Sequence, residues 1–83
     1  DVSERFPWGE VQLELEIKNG MIEELRLYSD AMAWSWTKDV HELEGTAYRQ
    51  EAFLPKWKAY LEKQNLEDAQ RDDLYALGLK AFA

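Results

Sequence analysis

The fold is decided by residues 10–29, which read EVQLELEIKNGMIEELRLYS. In the first half of this stretch polar residues alternate strictly with apolar ones, namely Val11, Leu13, Leu15 and Ile17. Because successive side chains of a strand point to opposite faces, this alternation predicts a strand over Glu10–Lys18 with one buried face and one wet face. Asn19-Gly20 follows and favours a type I′ turn, since both positions of that turn need positive φ. A second strand, Met21–Ser29, is predicted to return antiparallel.

The two predicted strands do not match as a plain two-residue hairpin. Ile17 faces Ile22 next to the turn, but Leu15 would then face Glu24. Leu25 and Leu27 would consequently lie on the solvent face of the sheet. One extra residue in the second strand restores the pattern, so we predict a β-bulge at Glu23-Glu24. Beyond the bulge, the predicted cross-strand pairs are Leu15 with Leu25, Leu13 with Leu27, and Glu14 with Arg26 on the solvent side.

After Asp30 the apolar period becomes helical and predicts about three helices. The first is short, with Asp39 as its N-cap, Glu42 completing a capping box and Gly45 after its end. Its core residues are predicted to be Val40 and Leu43.

The second predicted helix covers roughly Glu51–Gln64, and its apolar stripe consists of Phe53, Leu54, Trp57, Tyr60 and Leu61. It should not begin much before Gln50, because Pro55 is tolerated only near the first turn. The third is predicted to open at Asn65, with Gly78 weakening its end, and to bury Leu66, Ala69, Leu74 and Leu77.

A two-stranded ribbon is marginal alone, so the helices must cover it, and a short extra strand near Met32–Trp36 is a further possibility. The predicted class is therefore α+β: a single domain over residues 1–83, with a small antiparallel sheet under about three helices.

Composition narrows the function. Seventeen acidic residues against ten basic ones give a formal charge of −7, which disfavours nucleic acid and anionic membranes as partners. The chain has no cysteine and one histidine, His41, so a metal held by His41, Glu42 and Glu44 is far less expected than a solvated histidine. Glycine-rich phosphate loops and nucleophile elbows are absent from the sequence, and we expect no catalysis from this chain alone. With no signal-peptide pattern at residues 1–5, the expected location is the cytoplasm.

The aromatic residues between sheet and helices are candidates for protein binding. Trp34 and Trp36 are two residues apart in a segment without period, so they do not easily share one helix face. Exposed tryptophan often carries a protein interface, although covering the open face of the small sheet is the more ordinary role.

Several short motifs, in order, resemble one family. They are ERFPWG at residues 4–9, the alternating strand, NGMI at 19–22, LYSD at 27–30 and LEGTAYR at 43–49. Together they are similar to the C-terminal accessory domain of lipoate–protein ligases, and the resemblance covers nearly the whole chain. The segment around Trp34 and Trp36 departs from that pattern.

The resemblance implies a role beside a catalytic domain or subunit. That partner would bind lipoate, ATP and Mg²⁺, form lipoyl-adenylate and transfer lipoyl to a carrier-protein lysine, while the small domain binds no cofactor itself. The residues expected at the interface with the catalytic domain are Arg5, Trp8, Trp34, Trp36 and Arg49, with Phe6, Trp8 and Tyr48 also candidates for the core. An unrelated small interaction module is the alternative, and both a fragment and a separate subunit fit the sequence.

Overall fold

The computed structural model describes residues 2–30 and 35–82, with the backbone alone for residues 35–38. Within this part of the chain, one antiparallel sheet has the strand order β1-β2-β3, with β1 at Val2–Phe6, β2 at Gly9–Lys18 and β3 at Met21–Ser29. A 3₁₀ helix, Ser35–Leu43, and two α-helices, α1 (Gln50–Lys63) and α2 (Asp68–Lys80), follow. The predicted α+β class is confirmed, and the three predicted helices correspond to one 3₁₀ segment and two α-helices.

The central hairpin has the predicted turn and the predicted bulge. Asn19 and Gly20 have φ of 54° and 75°, as a type I′ turn requires. Ile17 pairs with Ile22 while Glu16 pairs with Glu24, which leaves Glu23 as the inserted residue. The predicted pairs beyond the bulge are all present: Leu15 with Leu25, Leu13 with Leu27 and Glu14 with Arg26.

The third strand comes from the N-terminal residues, for which the sequence predicted no strand. β1 pairs with β2 from Val2 opposite Leu13 to Phe6 opposite Gly9, so Pro7 and Trp8 form the turn. Gly9 has a φ of 151°, which side-chain-bearing residues rarely adopt. An extra strand was also predicted near Met32–Trp36. Residues 32–34 lie outside the described part of the chain, and residues 35–36 belong to the 3₁₀ helix and not to a strand.

The predicted start of α1 is confirmed, whereas the predicted starts of the 3₁₀ helix and of α2 are wrong. α1 begins at Gln50, as the position of Pro55 required. Asp39 lies inside the 3₁₀ helix and does not cap it, because that helix already begins at Ser35. α2 begins at Asp68 and not at Asn65, because the Oε1 of Gln70 accepts the N–H of Glu67 at 3.1 Å and caps the helix there. Leu66 is consequently half-buried before the helix, and Ala69 is exposed.

One hydrophobic core lies between the sheet and the helices. Every helical segment contributes to it, and the buried residues are Val11, Leu13, Ile22, Leu25, Leu27, Val40, Leu43, Phe53, Trp57, Tyr60, Leu61, Leu74 and Leu77. Trp57 is fully buried between Phe53 and Tyr60, at ring-centroid distances of 5.8 and 5.6 Å, and its Nε1 donates to the carbonyl of Leu74 at 2.9 Å. Gly78 is where α2 passes over this indole, so it serves close packing and does not merely weaken the end of the helix.

Candidate functional site

The motif NGMI and the motif GTAYR are hydrogen-bonded to each other. The N–H of Ile22 donates to the carbonyl of Thr46 at 2.8 Å, and the N–H of Gly45 donates to the carbonyl of Ile22 at 2.7 Å. The N–H of Tyr48 donates to the carbonyl of Gly20 at 2.9 Å. Gly45 turns the chain into this alignment with a φ of 88°. The two motifs therefore build one end of the domain. This backbone pairing accounts for Gly45, while the type I′ turn accounts for Gly20.

Tyr48 and Arg49 follow directly from this pairing and lie at the surface. The ring of Tyr48 stacks on Phe82 at a centroid distance of 4.8 Å, and its hydroxyl donates to the carbonyl of Ala81 at 2.9 Å. Arg49 is the exposed N-cap residue of α1, and it makes no ion pair with any other residue in the described ranges. An exposed guanidinium without an internal carboxylate is available for a bidentate contact with a partner.

The ERFPWG motif builds the opposite end of the sheet. Trp8 is half-buried: its ring stacks on Phe6 at 5.1 Å, and its Nε1 donates to a carboxylate oxygen of Asp73 in α2 at 2.8 Å. The Nη2 of Arg5 lies 3.5 Å from the Oε1 of Glu10, and its side chain is 81% exposed. Asp30, the last residue of the LYSD motif, has a structural role here, because its Oδ1 accepts a hydrogen bond from the N–H of Glu10 at 2.8 Å.

Among the predicted interface residues that the structure describes, Arg5 and Trp8 lie far from Arg49. Arg5 and Trp8 lie at one end of β2 and Arg49 at the other, and ten strand residues separate the ends by roughly 30 Å. Trp34 lies outside the described residues. The backbone of Trp36 is in the 3₁₀ helix, and its side chain is not described. Arg5 and Arg49 therefore cannot contact one small feature of a partner at the same time.

The sheet face turned away from the core carries an acidic cluster around one arginine. The guanidinium of Arg26 contacts Glu14 at 3.0 Å, Glu16 at 3.3 Å, and Glu24. The hydrogen bonds that Arg26 donates to Glu14, and then to Glu24 and Glu16, raise the pKa of Arg26 further above its usual range. Because three carboxylates share one cation, this face keeps an excess of negative charge. The sequence predicted the Glu14–Arg26 pair, but the shared arrangement depends on the bulge that places Glu24 opposite Glu16.

His41 is part of a structural contact. Its Nδ1 lies 2.8 Å from the Oε2 of Glu44, and the same oxygen accepts the N–H of Leu25 at 3.0 Å. The hydrogen bond with His41, and after it the one from the N–H of Leu25, lower the pKa of Glu44 below its ordinary value. Glu42 instead pairs with Lys63, at 2.5 Å. Over residues 2–30 and 35–82 there is no group of three metal-ligating side chains, and no helix there has the length and apolarity to cross a membrane.

The fold and the surface residues define the class: a small α+β domain whose sequence motifs shape the two ends of a three-stranded sheet. The model of the family described as bacterial lipoate protein ligase C-terminus matches residues 1–77. The chain belongs to this family, as the motifs indicated. A search of curated proteins found no match.

Proposed function

We propose that this chain is the non-catalytic accessory domain of a lipoate–protein ligase. It works with a catalytic domain or subunit that binds lipoate, ATP and Mg²⁺, and it is needed for lipoate adenylation and hence for lipoylation of carrier-protein lysines in the cytoplasm. The observation that carries the proposal is the family match over residues 1–77 of the 83. This family membership argues against the alternative hypothesis that the chain is an unrelated small interaction module.

The physical role that fits such a domain is to cover the partner's active site during adenylation. A cover excludes water from a reactive acyl-adenylate, and it must move away before a large carrier protein can approach. Two side chains near the ends of the sheet are held in place for such a role: Trp8 donates a hydrogen bond to Asp73 of α2, and Tyr48 donates one to the carbonyl of Ala81. Arg49, Arg5 and Trp8, with Trp34 and Trp36, remain the residues proposed for the interface.

The test is lipoate-dependent exchange between ATP and pyrophosphate, measured with the catalytic domain alone and with this chain added. We expect exchange to appear, or to rise strongly, only when both are present, because the catalytic domain alone would leave its active site open to water. The matched control is this chain carrying Leu74→Asp, which places an unpaired charge in the core and should abolish both folding and stimulation. Equal exchange with and without the chain, together with separate elution of the two proteins, would exclude the proposed function.

A further inference from the structure

Helix α1 and its N-cap residue are basic in an acidic chain. Residues 49–63 contain four basic side chains, Arg49, Lys56, Lys58 and Lys63, and two acidic ones, Glu51 and Glu62. This segment therefore has a formal charge of +2, whereas the whole chain has a formal charge of −7. Since α1 packs on the core side of the sheet and the acidic cluster around Arg26 lies on the opposite side, a partner would meet charges of opposite sign on these two surfaces.

Most cations of the domain already have an acidic partner within the chain. Ion pairs with carboxylates are made by Arg5, Lys18, Arg26, Lys63, Arg71 and Lys80. Arg49, Lys56 and Lys58 are exposed and make no ion pair with any residue whose side chain is described. Residues 31–38, AMAWSWTK, contain no acidic side chain that could be a further partner. Among the basic side chains that the structure describes, those available to a partner thus lie on α1 and its N-cap.

Lys58 lies on a different side of α1 from Lys56. Two residues along an α-helix correspond to a rotation of about 200°, so the two side chains leave the helix in nearly opposite directions. Lys58 lines a groove between α1 and α2 together with Glu62 and Asp72. Glu62 is also four residues further along the helix, at the spacing at which opposite charges offset each other. The charge of Lys58 is therefore partly compensated although it makes no ion pair.

The helical neighbours of Lys56 carry no charge. The residues three and four positions away from it are Ala52, Phe53, Ala59 and Tyr60. Pro55 and Ala59 are exposed beside it, and such small side chains allow another protein surface to come close. Arg49 precedes Lys56 by seven residues, which is close to two full turns, so the two residues lie on one side of the helix and about 10 Å apart along its axis. This face of α1 presents two available cations beside a low, apolar surface.

The charges indicate which kind of partner fits this face. A formal charge of −7 opposes contact with nucleic acid and anionic membranes, and two cations do not offset it. A protein surface with carboxylates would be repelled by the acidic sheet face and attracted by Arg49 and Lys56, so it would meet the domain in one orientation. Arg49 can make a bidentate contact with one carboxylate, and Lys56 can make a single charged contact with another.

We propose that the face of α1 formed by Arg49, Pro55, Lys56 and Ala59 docks on an acidic surface of the ligase's catalytic domain. This proposal rests on the proposed function for the identity of the partner. It adds Lys56 to the interface, and it requires carboxylates on the partner at a spacing on the order of 10 Å. Because exposed charges act mainly on the encounter of two proteins, this face sets how fast and in which orientation the two domains meet.

The experiment measures association rate and affinity by surface plasmon resonance, with the separately produced catalytic domain as the probe. Three charge reversals are compared with the parent chain: Arg49→Glu, Lys56→Glu and Lys58→Glu. Lys58 is the matched control, because it is exposed, lies in the same helix and changes the net charge by the same amount when reversed. A fourth variant, Lys56→Arg, keeps the charge. All four substitutions are at exposed positions, and urea unfolding checks that each variant is folded.

The expected result is that Arg49→Glu and Lys56→Glu each lower the association rate constant by about fivefold or more in ~50 mM salt, because an attraction becomes a repulsion. Lys58→Glu should change this rate constant by less than about twofold, and Lys56→Arg should bind like the parent. In about 500 mM salt, the rates of the parent and of the two reversals should come closer together, since salt screens exposed charges.

Three results would overturn this docking face while leaving the proposed function standing. In the first, Arg49→Glu and Lys56→Glu both form the complex at the parent's rate and stimulate ATP–pyrophosphate exchange normally. In the second, Lys58→Glu slows association as much as Lys56→Glu does, which would make net charge and not this face the cause. In the third, both reversals bind the catalytic domain normally but reduce lipoyl transfer to the carrier protein, which would make the carrier the occupant. If neither a complex nor stimulated exchange is seen, the proposed function fails and this partner fails with it.

Discussion

Replacing Gly78 by alanine tests the packing of α2 on the core. Helix propensity alone predicts that Gly78→Ala stabilises the protein by about 1 kcal/mol, because glycine is a poor helix former. The structure predicts the opposite sign. A Cβ at this position would lie 2.4 Å from Nε1 and 2.5 Å from Cδ1 of Trp57, far inside van der Waals contact. The indole cannot easily move, since it is fully buried and stacked between Phe53 and Tyr60.

The magnitude follows from what must change. Overpacking of a core typically costs about 1–3 kcal/mol, and losing the hydrogen bond from Trp57 to the carbonyl of Leu74 adds about 1 kcal/mol. After the gain in helix propensity, we expect the free energy of unfolding to fall by roughly 1–3 kcal/mol. Urea unfolding followed by circular dichroism measures this as a lower midpoint at unchanged slope.

Two further variants make the result for Gly78 interpretable. Ala76→Gly, at an exposed position of the same helix, should lower stability by about 1 kcal/mol through propensity alone. In a Trp57→Leu background, the cost of Gly78→Ala should shrink, since the clashing indole is gone. If Gly78→Ala raises the stability of the parent by about 1 kcal/mol, the close packing of Gly78 on Trp57 described here is wrong.

Three other substitutions test separate features. Tyr60→Phe should raise the free energy of unfolding by about 1 kcal/mol in urea titrations, because the buried hydroxyl of Tyr60 has no hydrogen-bond partner among the described residues; a lower free energy of unfolding would contradict this. Glu44→Gln should be less stable than the parent at neutral pH. Because the folded protein holds the pKa of Glu44 below the ordinary 4.5, the difference should shrink as pH falls below about 4.5, and a pH-independent difference would contradict this. Arg49→Ala should weaken binding to the catalytic domain by about 1–2 kcal/mol in calorimetric titration, with unchanged stability. Arg5→Ala should weaken binding less, because Arg5 already pairs with Glu10 within the chain. A larger effect of Arg5→Ala than of Arg49→Ala would place the interface at the other end of the sheet.

The hairpin could be predicted in detail because its determinants are local. The alternation of residues 10–18, the Asn19-Gly20 turn and the misplaced Glu24 together specify strand limits, turn and bulge without reference to the rest of the chain. Likewise, Pro55 limits where α1 can begin whatever packs against it.

β1 was missed for the opposite reason. Val2–Phe6 reads VSERF and has neither an apolar run nor full alternation, and its middle residues are exposed. It is a strand because β2 offers it a hydrogen-bonding edge and because Lys80, far away in the sequence, bonds to the carbonyl of Ser3. The same limit applies to the candidate interface, since only the register of the sheet reveals that Arg5 and Arg49 lie at opposite ends.

By itself, the sequence determined the α+β class, the bulged hairpin, most of the core and the family, because periodicity, turn residues and short motifs act over a few neighbouring positions. The tertiary structure alone decided that β1 completes the sheet, that NGMI and GTAYR pair, and that Gly78 makes room for Trp57. Each of these depends on groups far apart in the chain, and a contact of that kind is favourable only once the whole core has formed and offset the loss of conformational entropy.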